Sequence, residues 1–153
     1  MPMYWVTAAS TAAPTSIFDA VELVEPGTGS LKIHRIRLWQ TSDLGDATEE
    51  VLRVEWVRGN ATSGSGGTTT VITPNNSFDS AATFTAELLN TTPASTGSPV
   101  SLDVGGWNTR IPLDVLYPPE QVLWVRNGER ICYRVSAPAD AITVNCSVLV
   151  EQV

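Results

Sequence analysis

The chain is nearly without lysine and histidine: Lys32 and His34 are the only residues of each kind. With a single histidine, zinc sites and Ser-His-Asp or Cys-His catalysis would all have to run through His34. No Gly-x-Ser-x-Gly elbow accompanies it, so His34, lying mid-strand beside Arg35 and Arg37, reads as a structural or surface residue. Charge is sparse too, with 16% of residues charged and a formal net charge of −7. An acidic chain with no basic cluster is repelled by a phosphate backbone and by anionic lipid, so nucleic acid is not expected as a direct partner. Long apolar runs are missing, and no membrane association is expected. The opening Met1-Pro-Met-Tyr-Trp-Val has no basic stretch ahead of an apolar one, so no export signal is expected. The Asn-x-Ser/Thr triplets at Asn60, Asn75, Asn90 and Asn145 then follow from a Thr- and Asn-rich composition rather than from glycosylation.

Cysteine is scarce, with Cys132 and Cys146 the only two. In the last apolar alternation Ile142, Val144, Cys146, Val148 and Val150 share one parity. In the one before it Ile131, Tyr133 and Val135 share a face, which leaves Cys132 among Arg130 and Arg134. Joined as an antiparallel hairpin through Ala137-Pro-Ala-Asp, the matched apolar faces would set Ile131 opposite Cys146 and turn Cys132 away. Two free thiols are expected, in keeping with synthesis in a reducing compartment.

Helical periodicity is also hard to find. Period-two alternation takes its place over 31–41, 51–58, 121–126, 129–136 and 141–151, and more weakly over 3–8, 17–24, 68–73, 82–89 and 99–104. Turn chemistry separates the runs at Pro26-Gly-Thr-Gly, Gly59-Asn, Ser63-Gly-Ser-Gly-Gly, Thr73-Pro-Asn-Asn, Gly105-Gly and Pro118-Pro. Asn127-Gly128 is a type I′ hairpin cue. The uncharged stretches at 59–68 and 90–99 read as mobile loops. The expected fold is all-β: one antiparallel β-sandwich or jelly-roll-like domain over residues 1–153.

Few residue sets carry chemistry. The acidic run Asp43-Leu-Gly-Asp46-Ala-Thr-Glu49-Glu50 does not have the spacing of an EF-hand and reads as a solvated turn. Asp103, Asp114, Glu120 and Glu129 are available for acid–base work, but nothing in the sequence brings two of them together. The Ser63–Gly67 run lacks the Lys-Ser/Thr ending of a phosphate loop. No enzyme, cofactor or metal site is expected.

What the chain does have is arginine and tryptophan, the residues favoured at the centres of protein interfaces. Trp56 shares parity with Leu52 and Val54, the core pattern. Arg35, Arg37 and Trp39 share one strand face, awkward in a core but natural at a contact, and Trp107 in Gly105-Gly-Trp-Asn suits an exposed ring. These four are the expected partner-binding residues. A glycan platform built on Trp39 or Trp107 is the alternative use of the same rings.

Several segments resemble small proteins encoded by tailed bacteriophages and prophages. They are Gln40-Thr-Ser-Asp-Leu-Gly-Asp-Ala-Thr-Glu-Glu with Leu52-Arg-Val-Glu-Trp-Val-Arg-Gly and the Ser/Gly loop after it, Asn90-Thr-Thr-Pro-Ala-Ser-Thr-Gly, and Ala137-Pro-Ala-Asp-Ala-Ile-Thr-Val. The resemblance, to a layout covering nearly the whole chain, implies a virion component made in the host cytoplasm. The implied role is a head decoration (cement) protein binding the major capsid protein, or a tail or head-fibre component. A homo-oligomer is implied, with a trimer suiting three-fold capsid positions.

Overall fold

The computed structural model describes residues 1–8, 14–27, 29–42 and 50–153. Strands appear where side chains alternate and stop where glycine, proline and asparagine break the ladder. In order they are β1 (Met3–Ala8), β2 (Phe18–Val24), β3 (Leu31–Gln40), β4 (Val51–Arg58), β5 (Thr68–Thr69), β6 (Ile72–Pro74), β7 (Thr85–Asn90), β8 (Val100–Asn108), β9 (Leu113–Leu116), β10 (Leu123–Val125), β11 (Arg130–Val135) and β12 (Val144–Gln152).

Pairing is antiparallel and nested: β1 with β12, β2 with β11, β3 with both β9 and β10, and β4 with β8. First strand with last, second with second to last, is the order of a jelly roll. Strands β5, β6 and β7, inserted between β4 and β8, widen both layers. The first sheet runs β10–β3–β12–β1–β6, with β9 beside β10 on the same edge of β3. The second runs β5–β7–β2–β11–β4–β8. The expected all-β sandwich is the observed architecture.

Inward side chains of the two sheets form one core. Val6, Leu31, Ile33, Ile36, Leu38, Cys146 and Val148 come from the first sheet, and Phe18, Leu23, Trp56, Leu88, Ile131 and Tyr133 from the second. Each large side chain fully removed from water contributes about 1.5–3 kcal/mol before entropy is charged against it. Trp56 and Tyr133 stack at a tilt with centroids 4.9 Å apart. The Trp56 indole donates to the Tyr117 hydroxyl at 2.9 Å, and that hydroxyl donates in turn to Asp103. The buried polar ends of Trp56 and Tyr117 are thereby satisfied.

Three sequence expectations are revised by how the chain crosses between layers. β11 and β12 are in different sheets, so they do not form a hairpin: Ile131 pairs with Leu23 and Arg58, and Cys146 pairs with Leu38. Both cysteines are free, as expected, and both are buried. The Asn127-Gly128 turn closes with Glu129 N–H donating to Arg126 O at 2.9 Å, but it links β10 to β11 across the two sheets. Of the pair, only Gly128 has positive φ (74°), whereas a type I′ turn needs two such residues.

The third revision is a bulge. Along β3 the partner strand steps from Leu149, opposite Arg35, directly to Val150, opposite Ile33, which leaves His34 without a counterpart. One extra residue shifts the parity. Ile33 and Ile36 both reach the core, although the alternation alone puts Ile33 on the face of Arg35, Arg37 and Trp39.

Candidate functional site

A two-layer sandwich has two outward faces, and this chain treats them differently. On the second sheet, the loops at 59–67 and 90–98 lie against the outer side of β2 and β11. The expectation of mobile loops is corrected here. They pair with one another through bridges at Thr62–Ser95 and Ser65–Thr92. The glycines of the Ser63–Gly67 run are needed for close approach: a Cβ on Gly67 would lie 2.4 Å from Leu88 O.

Ionic groups pin this cap from below. Asp19 accepts from Arg134 Nε at 2.8 Å and from the Ala94 N–H at 2.7 Å, while Arg134 Nη2 donates to Ala94 O at 2.7 Å. Glu22 accepts from Arg130 Nε and the Ser63 hydroxyl, both at 2.6 Å, and from the Gly64 N–H at 2.9 Å. Arg130 also reaches the Asn60 and Ala61 carbonyls. Cys132 lies buried between these pairs, and burial together with the Asp19 and Glu22 charges pushes its thiol far up.

Ligand atoms of Asp19, Glu22 and Cys132 fall within 4.8 Å of one another, the one metal-like grouping among the described residues. Its chemistry is wrong for a cation. The carboxylate oxygens are already taken by guanidinium, hydroxyl and amide donors, and two arginines supply the balancing positive charge. The cluster is a clamp.

The first sheet presents the other face. Neighbouring strands bring outward residues into rows: Trp124 beside Lys32 beside Glu151, Leu116 beside Arg35 beside Leu149, and Asp114 beside Arg37 beside Ser147. Trp39 follows on β3, half-buried, and Trp5 stands outward on β1 with its indole donating to Asn75. Trp124 is 49% exposed and Leu116 67%.

Most of the charges on this face are matched. His34 Nε2 and Lys32 Nζ lie 2.8 and 3.4 Å from one Glu151 oxygen, and Lys32 also sits over the Trp124 ring at 4.7 Å. Burial acts to raise the Glu151 carboxyl, but the hydrogen bonds from His34 and Lys32 outweigh it and hold the group below its ordinary value. Arg35 grips Asp114 with two bonds of 2.8 and 2.6 Å, which lowers the carboxyl and raises the guanidinium. Arg37, directly opposite Asp114 in register, gets only a 3.6 Å contact with it and lies 6.0 Å from the Trp39 ring centroid. Beside it is a shallow recess of about 290 Å³ lined by Arg37, Trp39, Pro112, Leu113 and Asp114.

Of the four residues expected to bind a partner, Arg35, Arg37 and Trp39 come together on this face. Trp107 does not join them, and the expectation of an exposed ring there is corrected. Gly105 and Gly106 pair with Val54 and Arg53 as part of β8 rather than turning the chain, and the Trp107 ring is 1% exposed in the core, its indole donating to Ile111 O at 2.9 Å. The sequence reading also missed Asp114, Leu116 and Trp124, which join the face because β9 and β10 both pair with β3. The alternation in Leu113-Asp-Val-Leu after a proline was the available signal. Asp43–Glu49, weighed as a cation loop, lies outside the described residues. No protein-family model, curated protein or solved structure matches this chain.

Proposed function

We propose that this chain is a structural protein of a bacteriophage virion, a head decoration protein that docks on the major capsid protein lattice as a homo-oligomer. The observation that supports the reading best is the outer face of the first sheet. Three of the nine Lys and Arg residues of an acidic chain stand there on one strand, with Trp39, Trp124 and Leu116 between and beside them. Arg and Trp together, on rigid strands rather than loops, are what a protein interface needs at its centre. The resemblance of several segments to phage proteins favours a virion over other assemblies, and a jelly roll is a fold that such shells use.

Purified particles test the reading. The protein should be present in a fixed ratio to the capsid protein, and its absence from particles overturns the proposal. Low copy number would instead assign it to the tail or a head fibre. The 49% exposure of Trp124 supports a second reading, stacking on a bacterial surface glycan. Saturable quenching of tryptophan fluorescence by such a polysaccharide, lost in Trp124→Ala, would establish that use.

A further inference from the structure

On the face just described every cation except Arg37 has a short ionic contact. Lys32 and His34 share Glu151, and Arg35 holds both oxygens of Asp114. Asp114 is shared unequally: Arg35 holds it through two hydrogen bonds, while Arg37 Nε makes an ion pair with it at 3.6 Å, too long for a hydrogen bond. The Arg37 side chain stays 48% exposed, held at the rim of the recess where its fork can take a second, incoming carboxylate in the planar two-point manner that guanidinium favours. The recess floor is the opposite in character: the Trp39 ring, Pro112 and Leu113 offer an apolar surface. Its volume of about 290 Å³ is at the lower limit for a small-molecule site and suits one or two side chains.

We infer that the Arg37–Trp39 recess is the anchor point of the docking face, and that it takes a protein segment in which an Asp or Glu stands next to a large apolar residue. The carboxylate pairs with Arg37 while the apolar neighbour packs on Trp39, Pro112 and Leu113. Charge complementarity selects the occupant: the group at the rim with hydrogen-bond donors to spare is a cation, so a basic or neutral segment offers it no closer partner than its 3.6 Å contact with Asp114. The inference rests on the first sheet being a docking face, but not on the capsid being the partner.

The test titrates the full chain with two blocked dipeptides, N-acetyl-Phe-Asp-amide and N-acetyl-Phe-Asn-amide, and with glucuronate, while the Trp39 indole N–H and Arg37 Nε–H are followed by NMR. The Asp peptide should shift both resonances saturably and bind about ten-fold more tightly than the Asn peptide. Arg37→Gln should abolish that preference, and Arg53→Gln, which removes an exposed charge from the second sheet, should leave it intact. Equal binding of the two peptides, no saturation, or shifts centred on Trp124 would overturn the inference. So would tighter binding of glucuronate, which would assign an anionic sugar, or self-association that blocks the peptide, which would assign a second copy of the chain. Failure here with the protein present in particles removes the anchor and leaves the coat role standing. Selective peptide binding by a protein absent from particles does the reverse.

Discussion

Replacing Arg134 by methionine removes one arm of the clamp under the cap and isolates its energetics. Asp19 is fully buried and the Arg134 side chain is 17% exposed. In the variant Asp19 keeps only the Ala94 N–H, losing two guanidinium bonds of 2.8 and 3.2 Å, and Ala94 O loses its donor. A carboxylate left in the interior without its counter-ion costs about 3–5 kcal/mol, more than the net value of the intact pair, because desolvation is then uncompensated. The methionine packs about as much apolar volume as the arginine stem, so the loss is electrostatic rather than a cavity. Urea unfolding followed by tryptophan fluorescence should show a midpoint lowered by that free energy with little change in slope. Asp19→Asn/Arg134→Met, with the buried charge also removed, should recover part of it. Thiol labelling gives a second readout: Cys132 lies under the cap and Cys146 in the core. The single variant should expose Cys132 to a thiol reagent well before global unfolding while Cys146 stays protected. A loss below about 1 kcal/mol, or labelling of both thiols in parallel, would refute the clamp as the element that holds the cap.

Other perturbations follow from the same structure. Trp107→Ala should destabilise by about 3–5 kcal/mol by opening a cavity at a buried ring, whereas Trp39→Ala should cost under about 1 kcal/mol; thermal melts of the pair check this. Thr96 is a β-branched residue at φ 60° followed by Gly97 at φ 74°, so Thr96→Asn should raise the urea midpoint, a gain of about 0.5 kcal/mol after loss of the Thr62 hydroxyl contact. Tyr117→Phe should cost about 1–3 kcal/mol, because it leaves the Trp56 indole and the Asp103 carboxylate without their shared partner. Glu151 and Asp114 are held below their ordinary values of 4.5 and 3.8, so their contribution is complete above those values and is lost as pH falls through the lower folded-state ones. Stability should therefore decline as pH falls below about 4.5, and Glu151→Gln should remove part of that decline.

Period-two alternation made most strands legible, because burial on one side of a ladder writes itself directly into the sequence. It could not show what depends on partners distant along the chain. The bulge at His34 is a property of two strands, and only pairing with β12 explains why Ile33 and Ile36 both point inward. Gly105 and Gly106 have the composition of a turn, yet they lie in an edge strand, so composition alone exposes a Trp107 ring that pairing with β4 buries. Adjacency in the chain favours a β11–β12 hairpin, but nested pairing sends these two strands to opposite layers. Arg35, Arg37 and Trp39 were legible as a face because charge and indole alternate with Ile36 and Leu38. The recess beside them was not, since Pro112–Asp114 arrive from a strand 70 or more positions away.

The cap over the second sheet also limits how copies of this protein can accumulate. Paired ions and loop backbone cover β2 and β11, so a neighbour finds no flat apolar sheet to stack on over those two strands. A second copy approaching over those two strands meets hydroxyl, amide and loop carbonyl groups that are already paired, and gains no apolar contact from them.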